Sequence, residues 1–324
     1  MSLVATIAQT SAPLFLLIAA GWLAARAGYL GGASLDGLAA FVLRVCLPAL
    51  IFSAVSEFPL HDLLDARYLG AYALGSLGMF GLVLGLARRM RRVEGADAAV
   101  LALGVSCSNS AFMGFPILHQ LLGPIASLAL ALTVVVENTL MLPLCLSLAQ
   151  PRGDAARPPA RRWRLLLDTL RALGRNQVLA AIALALLMQG LHLHPPRPVH
   201  DAIGLLAHAS APAALFFLGG SLAGTPLRRS LAPASALSLA KLFGHPLLVW
   251  LAMLLLRPGP SGLAGAGVMM AAMPMLSSYP VIGRLRDMHG LCSATVLLAT
   301  SAAFLSLIAW VATLQQAGWL HLMH

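Results

Sequence analysis

The chain has 324 residues, 59% of them hydrophobic and 10% charged, with mean hydropathy +0.86. Soluble domains average about 45–50% apolar and about 25% charged residues, so this composition excludes a soluble globular domain and predicts an all-α integral membrane protein. The formal charge of +10 would suggest a nucleic-acid partner in a soluble protein, but here the basic residues follow the loops between apolar spans and no nucleic acid is expected.

Spans of about 20 residues fall at roughly 4–25, 34–56, 67–87, 96–119, 124–149, 176–193, 199–223, 231–256, 261–287 and 291–317, about ten crossings with short connections. The first is not read as a cleaved secretory signal, because no positive charge precedes its apolar run and that run exceeds a typical h-region. Alternate loops on one side hold 16 of the 21 basic residues, among them Arg26, Arg88, Arg89, Arg91 and Arg92, the series Arg152 to Arg175, Arg228 with Arg229, and Arg284 with Arg286. The positive-inside rule then places both termini outside the cytoplasm, which for a bacterial inner membrane means periplasmic termini. The acidic connection from Glu57 to Asp65 falls on the outer side. Cys46, Cys107, Cys145 and Cys292 all lie in apolar segments without CxxC spacing, so they read as small buried hydrophobes and no metal site is expected.

The longest connection is rich in Arg, Pro and Ala. It divides the chain into a first five-helix repeat (1–149), a basic cytoplasmic linker (150–175) and a second five-helix repeat (176–324). Trp163 to Arg171 within the linker reads as a short amphipathic helix at the inner surface. An odd number of spans per half means that two halves sharing a fold lie upside down relative to each other. Leu47-Pro48-Ala49-Leu50-Ile51-Phe52 resembles Ala211-Pro212-Ala213-Ala214-Leu215-Phe216 at an offset of 164 residues, and Pro116 stands at the same offset from Pro280.

The fourth span is interrupted at Asn109-Ser110-Ala111-Phe112-Met113-Gly114-Phe115-Pro116, and the ninth at Pro274-Met275-Leu276-Ser277-Ser278-Tyr279-Pro280. Backbone that leaves the helix at membrane depth survives only where it lines a protein-enclosed or watery cavity, so paired breaks point to a transport site. Gly114 and Pro116 let the fourth span split, and the second half-helix would begin near mid-membrane with its N–H groups and positive dipole end free to receive an anion. Inversion would aim a half-helix starting near Pro280 at the same plane. Asn109 would add an amide, and Ser110, Ser277, Ser278 and Tyr279 hydroxyls. A pair of ordinary proline kinks is the bland alternative.

Arg44, Glu137 and Lys241 are ionisable residues inside spans, where each costs on the order of 2.5–3.5 kcal/mol at a helix centre. Lys241 is the one lysine in the chain and could pair with a carboxylate, replace a coupling cation or attract an anionic substrate. Glu137 could be its partner or a proton acceptor. Arg44 reads equally as a side chain reaching an interface. His208 and His245 read as hydrogen-bonded core residues, and no phosphate loop, HExxH or nucleophile motif appears, so neither an enzyme nor a cofactor is expected.

These residues resemble the auxin efflux carrier family, which includes plant auxin exporters and bacterial carriers of malonate, malate and similar acids. The most specific part is Asn109 to Pro116, similar to the family's N-x-x-F-x-G-x-P. Leu47 to Phe52, Ala211 to Leu222, Lys241 with Pro246, and Met273-Pro274 are similar to its motifs in spans two, seven, eight and nine. The resemblance implies ten helices in an inverted five-plus-five arrangement related to bile-acid:sodium symporters, with crossed, broken helices four and nine. It gives Asn109 and Pro116 a substrate-site role and Lys241 an ion-coupling or charge-compensating role. Ser278 stands where relatives often carry an amide, Gln177 replaces a common proline, Pro280 is shifted by one position, and residues 67–87 hold none of the acid that some relatives place opposite the lysine. The expectation is a carrier of a small mono- or dicarboxylate working by alternating access. Alternatives are a sodium-coupled symporter of the bile-acid type and a non-transporting metabolite sensor. The coupling ion, H+ or Na+, stays open, and membrane lipid and a homodimer are the remaining partners considered.

Overall fold

Apolar runs become helices because a backbone in hydrocarbon must satisfy its own N–H and C=O groups. The computed structural model describes residues 3–56, 65–90, 93–149, 177–223, 231–259 and 261–320. The predicted linker 150–175 with its amphipathic stretch, most of the acidic connection, and Arg91, Arg92, Arg228 and Arg229 lie outside the described residues.

The helices are α1 (Leu3–Arg26), α2 (Gly32–Ser56), α3 (Ala66–Arg89), α4 (Gly95–Ser106), α5 (Ser110–Leu122), α6 (Ile125–Leu148), α7 (Gln177–Gly190), α8 (Arg197–Leu222), α9 (Leu231–Leu256), α10 (Ser261–Ala271), α11 (Tyr279–Gly283) and α12 (His289–Gln316). Among the described residues, six of them, α2, α3, α6, α8, α9 and α12, are long and apolar enough to cross a membrane. Asp65 starts α3 by accepting from the N–H groups of Arg67 and Tyr68, and Arg88 and Arg89 lie in its last turn, where basic side chains complement the helix dipole. Leu74, Leu77, Leu82 and Leu86 on α3 and Leu251, Leu254 and Leu255 on α9 are exposed, a surface suited to lipid rather than water.

Among the described residues the helices run through four π turns: Val42–Cys46 in α2, Ser110–Gly114 in α5, Glu137–Met141 in α6 and Ala240–Gly244 in α9. Each ends two residues before a proline, namely Pro48, Pro116, Pro143 and Pro246. In every case the residue before the proline donates to the carbonyl five positions back: Leu47 to Val42, Phe115 to Ser110, Leu142 to Glu137 and His245 to Ala240. A proline ring collides with the carbonyl four residues before it, and one extra residue in the turn relieves the collision without a sharp kink. Arg44, Glu137 and Lys241 each sit on such a widened turn.

The helices pack in two groups. In one, α8 lies against α1 and α2, and α7 against α2. Gly21 and Gly219 allow the closest approach, because a Cβ at Gly219 would strike the Ile18 carbonyl and one at Gly21 the Phe216 carbonyl. In the other group α3 packs on α4 and α9, α12 on α9 and α11, and α10 on α6 and α9. Gly75 of α3 similarly admits the backbone of α9 at Val249. Contacts of α6 with α2, and of α5 with α1 and α8, join the two groups.

Candidate functional site

Two of the predicted spans are indeed discontinuous, although the first break lies slightly earlier than the sequence suggests. α4 ends at Ser106, Cys107 is extended with φ −117 and ψ 143, and a π turn begins at Ser110. The non-helical stretch is therefore Cys107 to Asn109, while Gly114 and Pro116 belong to the widened turn and helix that follow. The second break runs from Ala272 to Ser278. The two breaks meet: Ser108 and Met275 form an isolated antiparallel bridge, and the Asn109 N–H donates to the Pro274 carbonyl at 2.8 Å. Each break thus satisfies part of the other's exposed backbone, the requirement that membrane depth imposes. Arg286 ties the same two spans at one end, its guanidinium bonding Asp97 at 2.6 Å and Glu94 beside it, both at the start of α4.

Charged side chains close around the crossing. The Lys241 ammonium is 0% exposed and donates to the Ala271 carbonyl at 2.7 Å and the Ser108 hydroxyl at 2.7 Å, with His245 Nδ1 at 2.8 Å. It therefore caps the C-terminal, electronegative end of α10. His245 Nε2 is 3.0 Å from the Ser76 hydroxyl on α3. On the opposite side of Ser108, the Glu137 carboxylate accepts from the Ser108 N–H at 2.8 Å, from the Tyr72 hydroxyl at 3.2 Å and from the Ser110 hydroxyl at 3.3 Å. Glu137 stands at the electropositive start of α5, whose N-cap residue, Asn109, makes no side-chain capping bond. Glu137 and Lys241 make no direct ion pair among the described residues; one serine joins them, through its N–H on one side and its hydroxyl on the other.

A cavity of about 430 Å³ lies over this arrangement, lined by Ser108, Asn109, Ser110, Glu137, Asn138, Ser277 and Ser278, with Asp36, Gln177 and Phe217 nearer its rim. The rim residues come from the starts of α2 and α7 and the end of α8, the helix ends next to the basic loops. Asn109 is 4% exposed, yet its Nδ2 has no hydrogen-bond partner, and the buried Ser277 hydroxyl has none either. Burying an amide or hydroxyl without a partner is costly, so two orphaned donors on one cavity wall are a signature of a ligand site. The cavity falls at the small end of the size range of small-molecule sites, about 300–1,000 Å³.

The other predicted site residues divide. Tyr279 is fully buried and lies over Gly104 of α4, where a Cβ would strike its ring; Gly114 serves close packing, since a Cβ there would press on Met270 and Met273. The Pro280 carbonyl meets His289 Nδ1 at 3.1 Å. Pro116 lines a second cavity of about 360 Å³, with Phe115, His119, Gln120 and Ser127 on one wall and Pro13, Ser53, His208 and Pro212 on the other. Arg44 is exposed beside an apolar groove between α2 and α7. Sequence reasoning overlooked Ser108, Tyr72 and Ser76. The signal was present: Tyr68, Tyr72 and Ser76 recur every four residues on one face of an otherwise apolar span, and all are buried. Among the described residues no cluster of His, Cys, Asp and Glu has the makings of a metal site.

Comparison with known proteins gives a consistent picture. A relative from Rhizobium meliloti (strain 1021), bearing the name "Putative malonate transporter", is 28% identical over 292 residues, covering 89% of either chain. The fold is similar to that of the sodium proton antiporter MjNhaP1 from Methanocaldococcus jannaschii, with a TM-score of 0.53 and 11% identity across 97% of this chain and 95% of that one. The membrane transport protein family matches residues 6–311. The chain is a multi-pass membrane protein of the transporter class and belongs to that family, the auxin efflux carriers whose motifs it bears.

Proposed function

We propose that the protein carries a small mono- or dicarboxylate, malonate-like in size, across the cytoplasmic membrane by alternating access. In this reading α4 with α5 and α10 with α11 each count as one crossing, giving ten spans in two inverted sets of five with both termini on the periplasmic side. The observation that carries the reading is the pair of orphaned donors, Asn109 Nδ2 and Ser277 Oγ, on one cavity wall beside the uncapped start of α5. Orphaned donors call for an acceptor, and a carboxylate supplies two oxygens able to accept several bonds. α11 contributes less than the sequence suggests, because it is only five residues long and its dipole is correspondingly small.

Two cavities that follow one another along α2, α5 and α8 support alternation. α5 passes from one to the other: Ala111 and Phe112 line the first, Phe115 and Pro116 the second. Both cavities lie between the two helix groups, so a rocking or sliding of one group against the other would close one as it opened the other.

Uptake of labelled malonate into proteoliposomes tests the proposal. Saturable uptake or counterflow is the expected result. Tight binding without flux would make the protein a sensor, and flux that collapses only on removal of sodium would make it a symporter of the bile-acid type.

A further inference from the structure

Some of the donors that an incoming anion needs are already in use. Glu137 takes the Ser108 N–H and lies within reach of the Ser110 hydroxyl, both at the start of α5, and faces the same cavity as the orphaned amide of Asn109. Glu137 is 7% exposed, so it is neither dispersed in solvent nor sealed from the cavity. One small enclosure thus combines a resident carboxylate with the groups that would bind a second.

Charge decides what can share that enclosure. The groups facing Glu137 are Tyr68 and Tyr72 on α3, Cys107 at the first break and Lys241 on α9, with His245 against Lys241; Asp36 on α2 lines the same cavity, and α10 presents no ionisable side chain. Lys241 is the one amine of this set, and it is held by Ser108, Ala271 and His245. One ammonium balances one carboxylate. A guest anion added to a charged Glu137 would leave an unbalanced negative charge where the local dielectric is low, whereas two carboxylates can share such a site with a proton between them.

Resting on the carrier reading above, we infer that Glu137 is a tethered competitor of the substrate, displaced by protonation, so that each anion enters with one proton. Protonation at a Glu137 carboxyl oxygen, from water in the cavity, removes its negative charge and turns it from acceptor into donor. The Ser108 N–H and Ser110 hydroxyl pass to one carboxylate of the guest, Asn109 Nδ2 and Ser277 Oγ gain their missing acceptor, and Lys241 balances that carboxylate in place of Glu137, with any second carboxylate left in the open cavity. The coupling ion is then H+, and its carrier is a residue that also guards the site.

The test uses purified full-length protein in nanodiscs and malonate as the probe. Wild type titrated in a weakly buffered solution with a pH-sensitive dye should take up about one proton per malonate bound, and its Kd should weaken by about tenfold per pH unit above the range in which malonate itself titrates. Glu137→Gln should bind malonate with no proton uptake and a flat pH profile. Wild-type binding without proton uptake, or an unchanged pH slope in a folded Glu137→Gln protein, would overturn the inference. If that variant does not fold, the proton count on wild type decides alone. Absence of malonate binding at every pH would sink the carrier reading, and this inference with it.

Discussion

Lys241 has no route to an interface: its ammonium is fully buried and three groups hold it in place. Removing it takes the 2.7 Å bonds of the ammonium from the Ser108 hydroxyl and the Ala271 carbonyl, leaves the carbonyl only a 3.5 Å bond from Ser108, and strips Glu137 of its balancing charge. Breaking a buried charge arrangement from one side costs about 3–5 kcal/mol. Lys241→Met, similar in volume, should therefore lower the thermal midpoint sharply, and Glu137→Gln in the same protein should restore part of it. A double-mutant cycle by thermal unfolding should give a coupling of at least about 1 kcal/mol, although the two side chains touch only through Ser108. Additive effects would mean that Ser108 insulates the two charges instead of joining them. Asn109 makes the opposite prediction, because its amide nitrogen satisfies nothing within the protein. Asn109→Ala should leave stability unchanged or slightly higher and weaken carboxylate binding by about ten- to a hundredfold, the worth of a hydrogen bond to a charged group, measured by ligand titration of the folded variant.

At the scale of elements, the crossing is held in two places. The Ser108–Met275 bridge joins the breaks, and Arg286 joins the end of α11 to the start of α4. The two acids at Arg286 are not equivalent, since the Asp97 side chain is 14% exposed and that of Glu94 64%. Solvent screens an exposed pair to about 0–1 kcal/mol, so Asp97→Ala should destabilise more than Glu94→Ala in thermal unfolding. The reverse order would place the weight of the contact at the rim. The π turns belong to this scale as well. Each is set by a proline two residues after it, and three of the four carry the ionisable residues of the apolar spans, Arg44, Glu137 and Lys241. A wider turn rotates the side chains that follow, so the prolines have a share in where Glu137 and Lys241 point.

For the whole molecule, the proposed alternation rests on the two helix groups and the cavities between them. Ser53 on α2 and Gln120 on α5 face each other across the second cavity, one from each group. The native cysteines Cys46, Cys107, Cys145 and Cys292 are all buried, so thiols introduced at Ser53 and Gln120 should react selectively with a bifunctional reagent. Cross-linking Ser53→Cys to Gln120→Cys should stop malonate flux in proteoliposomes and leave binding from the opposite face intact. Full flux in the cross-linked protein would show that the groups need not move apart there.

Membrane residence and family are legible in the residues alone. Apolar runs longer than a soluble helix admits and the Asn109-to-Pro116 motif depend only on local composition and spacing. That spans four and nine are broken is legible from the glycine and prolines near the breaks, but the exact place is not, since the first break falls at Cys107 to Asn109, ahead of Gly114 and Pro116. What stands opposite a break is not local information. That Ser108 serves Glu137 with its N–H and Lys241 with its hydroxyl, that Asn109 keeps a free amide, and that Pro116 faces a different cavity all depend on helices far apart in the chain coming together. Ser108 and Lys241 are 133 residues apart in the chain, and only tertiary packing brings them into contact. A side chain's periodicity tells which way it points along its own helix, but its partner is chosen by the packing of the others.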